Sequence, residues 1–160
     1  MKLSNITNKQ QEIIRLLYTH RYLDRTQIQA LLNHKDKRRI ISWLKDLREK
    51  QYINWIYDEN DFVNKTKPAI YFIGINGIRF LRQSGDYPAD ALRKRYKDNT
   101  RSQSYIGRCL LIAECCAMLN GHDEYTYLTE AEYSEQANAP NWLQYNYIQK
   151  IETYKKYSYK

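Results

Sequence analysis

The chain has 160 residues, of which 42% are hydrophobic and 28% charged, an ordinary balance for a globular domain. Its net charge is +8, and the basic excess lies early: residues 1–108 carry 22 basic and 11 acidic side chains, whereas residues 109–160 carry 4 and 7. No apolar run approaches the length of a membrane span and the N-terminus lacks the apolar stretch of a signal peptide, so we expect a cytoplasmic protein with no membrane partner.

The distribution of charge indicates a module that faces a polyanion, followed by a region with another role. Three cysteines, Cys109, Cys115 and Cys116, lie in one apolar segment, which favours reduced, buried thiols over disulfides. The three histidines are scattered, and neither a nucleophile motif nor a glycine-rich phosphate loop is present. We therefore expect no metal, no cofactor and no enzymatic activity.

Two helices open the chain. The first is predicted at Asn8–Thr19, where apolar residues recur at helical spacing. The second follows Asp24, which fits a capping box with Gln27 three residues later, while Leu23 and Ile28 occupy the positions of a hydrophobic staple.

The third predicted helix, residues 36–50, is the most informative element. Its inward face is defined by Ile40, Trp43, Leu44 and Leu47, at positions i, i+3, i+4 and i+7. The opposite face carries Arg38, Ser42 and Lys45, flanked by Lys37, Arg39 and Ile41. Cations in a first helical turn oppose the macrodipole and destabilise the helix by roughly 0.3–1 kcal/mol each. Their presence favours contact with a polyanion, although a solvated charged face, with Asp36 as a compensating cap, is an alternative.

The pattern then changes from helical to strand-like. Strands are predicted at residues 53–57 and 69–74, joined by a polar connector, and a further helix is predicted at residues 76–84. Helix, helix, helix, hairpin and helix is the order of a winged helix-turn-helix. The predicted fold class is therefore mainly α with a small β-hairpin (α+β), divided into a DNA-binding domain at 1–85, a charged linker or solvated helix at 86–104 and a helical, tyrosine-rich region at 105–160.

In a helix-turn-helix the second helix of the pair enters the major groove, and here that is the helix at 36–50. Arginine can bond bidentately to guanine, whereas lysine is better suited to phosphates. Arg38 and Arg39 are the candidate base readers and Ser42 can contact either group. The candidate phosphate contacts are Lys35, Lys37 and Lys45. The wing tip adds Asn64, Lys65 and Lys67, which could reach a minor groove or the backbone, or could simply keep the loop soluble.

Residues 105–119 are apolar on most faces, so this helix must be covered by its own domain or by a second subunit. Bacterial regulators of this architecture bind pseudo-palindromic sites as two-fold dimers. The candidate dimer contact consists of Ile106, Leu110, Ala113 and Ala117, which share one face. The alternative is a helix packed within the monomer.

Three runs resemble a known group. They are KQQEIIRLLYTHRYLDRTQIQALL, RRIISWLKDLREKQYI and KPAIYFIGINGIRFL. They are similar to the N-terminal winged-helix part of replication-relaxation family proteins, encoded on plasmids and integrative elements, and the likeness covers about residues 8–120. Gly74-Ile75-Asn76-Gly77 stands where that family starts a helix with leucine-threonine-x-x-glycine. The resemblance implies DNA binding in replication, transfer or gene control.

Three functions are compatible with these patterns. The leading hypothesis is a sequence-specific double-stranded DNA-binding protein, a regulator or accessory factor of a mobile element. The second is a winged-helix module that docks to a replication or conjugation protein. The third is a metal-dependent nuclease using Glu130, Glu132 and Glu135, whose spacing equally suits a solvated helix face.

Overall fold

A computed structural model describes residues 3–57 and 68–120 of the chain. The helices are α1 (Asn8–His20), α2 (Arg25–Leu31), α3 (Lys37–Glu49), α4 (Ile75–Ser84), α5 (Ala89–Arg95) and α6 (Gln103–Leu119), with a short 3-10 helix at Asp98–Thr100. The strands are β1 (Tyr22–Asp24), β2 (Ile53–Ile56) and β3 (Ile70–Ile73). The cysteines of α6 are buried, as predicted.

The element order is that of a winged helix, and the predicted fold class is confirmed. One element was missed: the hairpin is part of a three-stranded antiparallel sheet with the order β1-β3-β2. The strand that was missed is β1, in which Tyr22 pairs with Phe72 of β3 and Asp24 pairs with Ile70 of β3. Three residues are too few to display the alternation of a strand, and their partners lie almost fifty positions away, so the pattern before α2 resembled only a helix cap.

The two capping boxes explain where the first helices begin. Asp24 accepts a hydrogen bond from the backbone of Gln27 (2.8 Å), and the Gln27 side chain accepts one from the Asp24 backbone (3.1 Å). Thr7 and Gln10 form the same reciprocal pair at the start of α1. Each box satisfies donors that a helix start leaves unpaired, so these local patterns fix the boundaries regardless of the tertiary structure.

The sheet is covered on both faces. One face carries Ile53 and Ile73 and packs against α1 and α3 in the main core. The other carries Tyr22 and Phe72, which pack against Ile106 and Cys109 of α6. The long apolar helix is therefore the cover of the outer sheet face, which accounts for its weak amphipathic pattern.

This packing bears directly on the predicted dimer contact. Ile106 is 2% exposed in the cluster below the sheet, and Ala113 is fully buried in the main core. These two side chains follow the alternative interpretation, a helix packed within the monomer. Leu110 and Ala117 are only partly buried, and dimerisation itself stays a prediction.

The segment at 86–104, expected to be a charged linker or a solvated helix, is packed at several residues. Leu92 belongs to the main core, and the buried guanidinium of Arg95 donates to the carbonyl oxygen of Tyr18 (2.8 Å) while lying over its ring. Asp98 is fully buried and lies 3.3 Å from the buried guanidinium of Arg21. Charged composition suggested solvent exposure, but buried charges are stable when paired in this way, and the pairs join residues far apart in the chain.

Tyr22 gives this region a pH dependence. Its hydroxyl is buried and donates to the carbonyl oxygen of Asp98 (2.5 Å). Burial, and secondarily the Asp98 carboxylate, raise the pKa of Tyr22 above its usual value near 10. The folded state thus retains a proton that the unfolded state releases, so stability present below pH ~10 declines as the pH rises above that value.

We expect the difference in unfolding free energy between wild type and Tyr22→Phe to shrink above pH ~10. At pH ~8 the wild type should be more stable by about 1 kcal/mol, the usual net contribution of one hydrogen bond. Urea unfolding at several pH values measures the difference. A difference independent of pH up to ~11 would contradict the assignment.

Candidate nucleic-acid interface

Helix α3 is oriented by its inward side chains. Ile40, Leu44 and Leu47 are at most 2% exposed, which turns the opposite face to solvent. The carboxylate of Asp36 caps the helix and accepts hydrogen bonds from the backbone of Arg38 (2.8 Å) and Arg39 (3.4 Å). The cap satisfies helix-terminal donors and places one negative charge at the positive end of the dipole.

The turn between α2 and α3 uses Asn33 in a left-handed conformation, with φ of 47°. Asparagine tolerates this conformation better than most residues, which allows the chain to turn at Asn33, directly after α2 and its C-cap Leu32. The imidazole of His34 accepts a hydrogen bond from the Asp36 backbone (3.2 Å) and lies edge-on to the Trp43 ring (5.0 Å between centroids). These contacts fix the angle at which α3 leaves α2.

All six cationic or polar candidates before residue 46 are exposed: Lys35, Lys37, Arg38, Arg39, Ser42 and Lys45. Lys45 forms a salt bridge with Glu49, at 3.9 Å on a strongly exposed surface where such a pair contributes little. Among the residues that the structure describes, no carboxylate forms a salt bridge with the other cations of this group. Within the described part of the chain, the Asp36 cap is thus the carboxylate that offsets the positive charge at the start of α3.

Two further residues complete this face. Ile41 is 46% exposed, an unusual placement for a β-branched apolar side chain between cations. Arg48 lies three positions beyond Lys45, and the spacing of 38, 41, 45 and 48 is that of a single helical stripe. The face predicted from the sequence includes Ile41 only as a flanking residue and omits Arg48, although the same helical period identifies it.

The stripe ends at an aromatic group on the wing. The Arg48 guanidinium carbon lies 3.8 Å from the ring centroid of Trp55 in β2, and the Trp55 and Tyr57 rings are stacked, 5.4 Å apart and 21° from parallel. Trp55 pairs across the sheet with Tyr71. Burial raises the pKa of Tyr71, and the guanidinium groups of Arg48 and Arg25 oppose that shift.

Several other candidates lie outside the described residues. These are the wing-tip residues Asn64, Lys65 and Lys67 and the acidic cluster Glu130, Glu132 and Glu135. None of the helices in the described part of the chain has the length and apolarity needed to cross a membrane.

Among solved structures, a weak likeness is found to NadR. NadR, solved in complex with 4-hydroxyphenylacetate, superposes with a TM-score of 0.45 and 18% sequence identity, over 74% of this chain and 77% of NadR. No family model matches the sequence, and no curated protein matches it.

Proposed function

We propose that this chain is a sequence-specific double-stranded DNA-binding protein that uses α3 as its recognition helix. The observation that carries the proposal is the exposed cationic face of α3 in a winged-helix frame, where no carboxylate of the described residues forms a salt bridge with Lys37, Arg38 or Arg39. A purely structural helix would be more stable with acidic residues in its first turn. Phosphate contacts from the lysines and base contacts from Arg38 and Arg39 give those cations a function.

The resemblance to replication-relaxation proteins supports a narrower proposal. The protein would act as a regulator or accessory factor of plasmid or mobile-element replication, transfer or transcription, binding as a homodimer to a pseudo-palindromic site. The alternative is a winged-helix module that docks to a replication or conjugation protein through the same surface. DNA-binding measurements separate the two.

The test is fluorescence anisotropy with duplex fragments of the DNA upstream of the protein's own coding sequence, at several salt concentrations and with excess competitor DNA. We expect tight binding that resists competitor. If about six phosphates are contacted, affinity should fall roughly a thousandfold between ~50 and ~200 mM salt. Weak binding that competitor abolishes would refute sequence-specific recognition and favour the protein-docking alternative.

Ile41 yields a prediction about base identity. Within this proposal its exposed side chain, between Arg38 and Lys45, is placed to contact the C5-methyl group of a thymine in the major groove. Replacing that thymine by deoxyuridine deletes one methyl group, worth about 0.8 kcal/mol, or roughly a fourfold loss of affinity. A scan of single thymine-to-deoxyuridine changes through the bound site should therefore reveal a sensitive position.

Ile41→Ala should remove that sensitivity, so that both DNAs bind with the same, reduced affinity. The matched control is Ile75→Ala, because Ile75 is similarly exposed (42%) but lies in α4. The control should retain the thymine preference. If Ile41→Ala discriminated thymine from deoxyuridine as well as the wild type does, the contact would be excluded.

A further inference from the structure

The wing carries two large aromatic side chains in an unusual position. Trp55 is 39% exposed and Tyr57 is 38% exposed, although both residue types gain by burying their rings. Trp55 lies on β2, an edge strand of the sheet, and Tyr57 directly follows that strand, two positions on, so both rings lie on the same face. Their rings are stacked, which gives a preformed aromatic surface at low conformational cost.

That surface lies on the α3 side of the sheet. Ile53, which shares its face with Trp55, is buried in the main core with Leu44 and Leu47 of α3. The opposite face is covered by α6. The aromatic pair therefore lies on the face that α3 covers, just beyond the part of β2 that α3 buries.

Helix α3 supplies two basic side chains on this side of the sheet. Arg48 lies over the Trp55 ring, and Lys45 stands one turn earlier on the same stripe of α3. A protein partner that approached here would have to be acidic and apolar together. Stacked aromatic rings next to guanidinium groups suit a nucleic-acid strand, whose bases present flat π-faces and whose backbone is anionic.

An intact duplex hides those π-faces within its own base stack, so an aromatic platform has a ligand only where bases are unpaired. We propose that Trp55, Tyr57 and Arg48 form a binding surface for single-stranded DNA, adjoining the duplex-binding face of α3. A base stacks on the part of the Trp55–Tyr57 pair that Arg48 leaves exposed, and Arg48 and Lys45 contact the backbone. This goes beyond duplex recognition, and it can hold or fail independently of it.

The experiment measures anisotropy of a labelled twenty-nucleotide oligothymidylate with the full chain at low salt, and of the specific duplex in parallel. Trp55→Ala/Tyr57→Ala should weaken single-strand binding by about ten- to a hundredfold, and duplex binding by less than about threefold. Trp55→Phe/Tyr57→Phe retains both rings and should stay within about threefold of wild type for both DNAs. Tyr96→Ala is the control, because Tyr96 is a tyrosine of similar exposure (46%) at the end of α5.

A base-free oligonucleotide completes the test. If stacking provides the affinity, wild type should bind the abasic strand only as weakly as the Trp55→Ala/Tyr57→Ala variant binds oligothymidylate. That variant should bind the abasic strand and oligothymidylate with nearly the same affinity. The proposal is overturned if wild type binds both strands equally, if the alanine variant matches wild type on oligothymidylate, or if the phenylalanine variant loses as much as the alanine variant. Loss of duplex binding in Arg38→Ala/Arg39→Ala with single-strand binding retained would separate the two surfaces.

Discussion

Replacing Arg38 and Arg39 together with alanine is expected to lower affinity for the specific duplex by at least about thirtyfold. Each arginine that reads a guanine contributes roughly 1–3 kcal/mol, and 1.4 kcal/mol is a factor of ten. The same change should leave the unfolding free energy constant or raise it by about 0.3–1 kcal/mol per residue, because it removes cations from the positive end of the helix dipole. The Asp36 cap is retained, since its partners are the backbone amides.

DNA affinity should thus fall while the free energy of unfolding stays constant or rises. Misfolding would lower both. Anisotropy gives the affinity, and urea unfolding gives the free energy of unfolding. The matched control is Arg93→Ala/Lys94→Ala, which removes the same charge from exposed positions in the last turn of α5. The control should change affinity by less than about threefold. Equal losses in the two double variants would mean that overall charge, not the face of α3, determines binding.

Gly77→Ala is expected to destabilise the protein by about 2–3 kcal/mol. A Cβ atom at Gly77 would lie 2.4 Å from the carbonyl oxygen of Tyr52 and 2.8 Å from Cγ1 of Ile73. The Tyr52 carbonyl cannot move aside easily, because it accepts a hydrogen bond from the Gly74 amide (2.8 Å). Overpacking of this kind costs typically 1–3 kcal/mol, occasionally more, and exceeds the ~0.5–1 kcal/mol that alanine gains over glycine in a helix.

Gly107→Ala is the matched control, because Gly107 also lies within a helix but has no atom within 4 Å of an added Cβ. That change should stabilise the protein by about 0.5–1 kcal/mol. In thermal unfolding the two variants should shift the midpoint in opposite directions, with Gly77→Ala lower by roughly 5–10 °C. A Gly77→Ala protein as stable as wild type would show that α4 can move away from the turn before β2 without loss.

The same junction explains the Gly74-Ile75-Asn76-Gly77 run. The Asn76 side chain donates to the carbonyl oxygen of Lys50 (2.9 Å), and Gly74 allows the backbone to approach Gln51 closely. The sequence predicts that a helix begins here and that the run is not a phosphate loop, but not how the run packs. Its packing function depends on a turn more than twenty residues away, which no local pattern contains.

The candidate interface also contains some residues that local sequence patterns predict and others that only tertiary contacts bring together. The outward orientation of Arg38, Ser42 and Lys45 followed from the spacing of Ile40, Leu44 and Leu47, because one helical period fixes both faces. For Trp55 and Tyr57 the sequence predicts only that they are strand residues. Their position beside Arg48 depends on how β2 packs against α3, and that is a tertiary contact.

The sequence by itself determined the elements whose signals lie within one or two turns: the capped starts of α1, α2 and α3, the inward stripe of α3 and the basic character of its exposed face. These depend on hydrogen bonds and side-chain spacing between near neighbours. Only the tertiary structure decided that residues 22–24 form a strand, that α6 covers the sheet with Ile106 and Ala113 inside the monomer, and that Arg95 and Asp98 are buried. Each of those outcomes depends on pairing or desolvation between residues distant in the chain, where composition and periodicity carry no information.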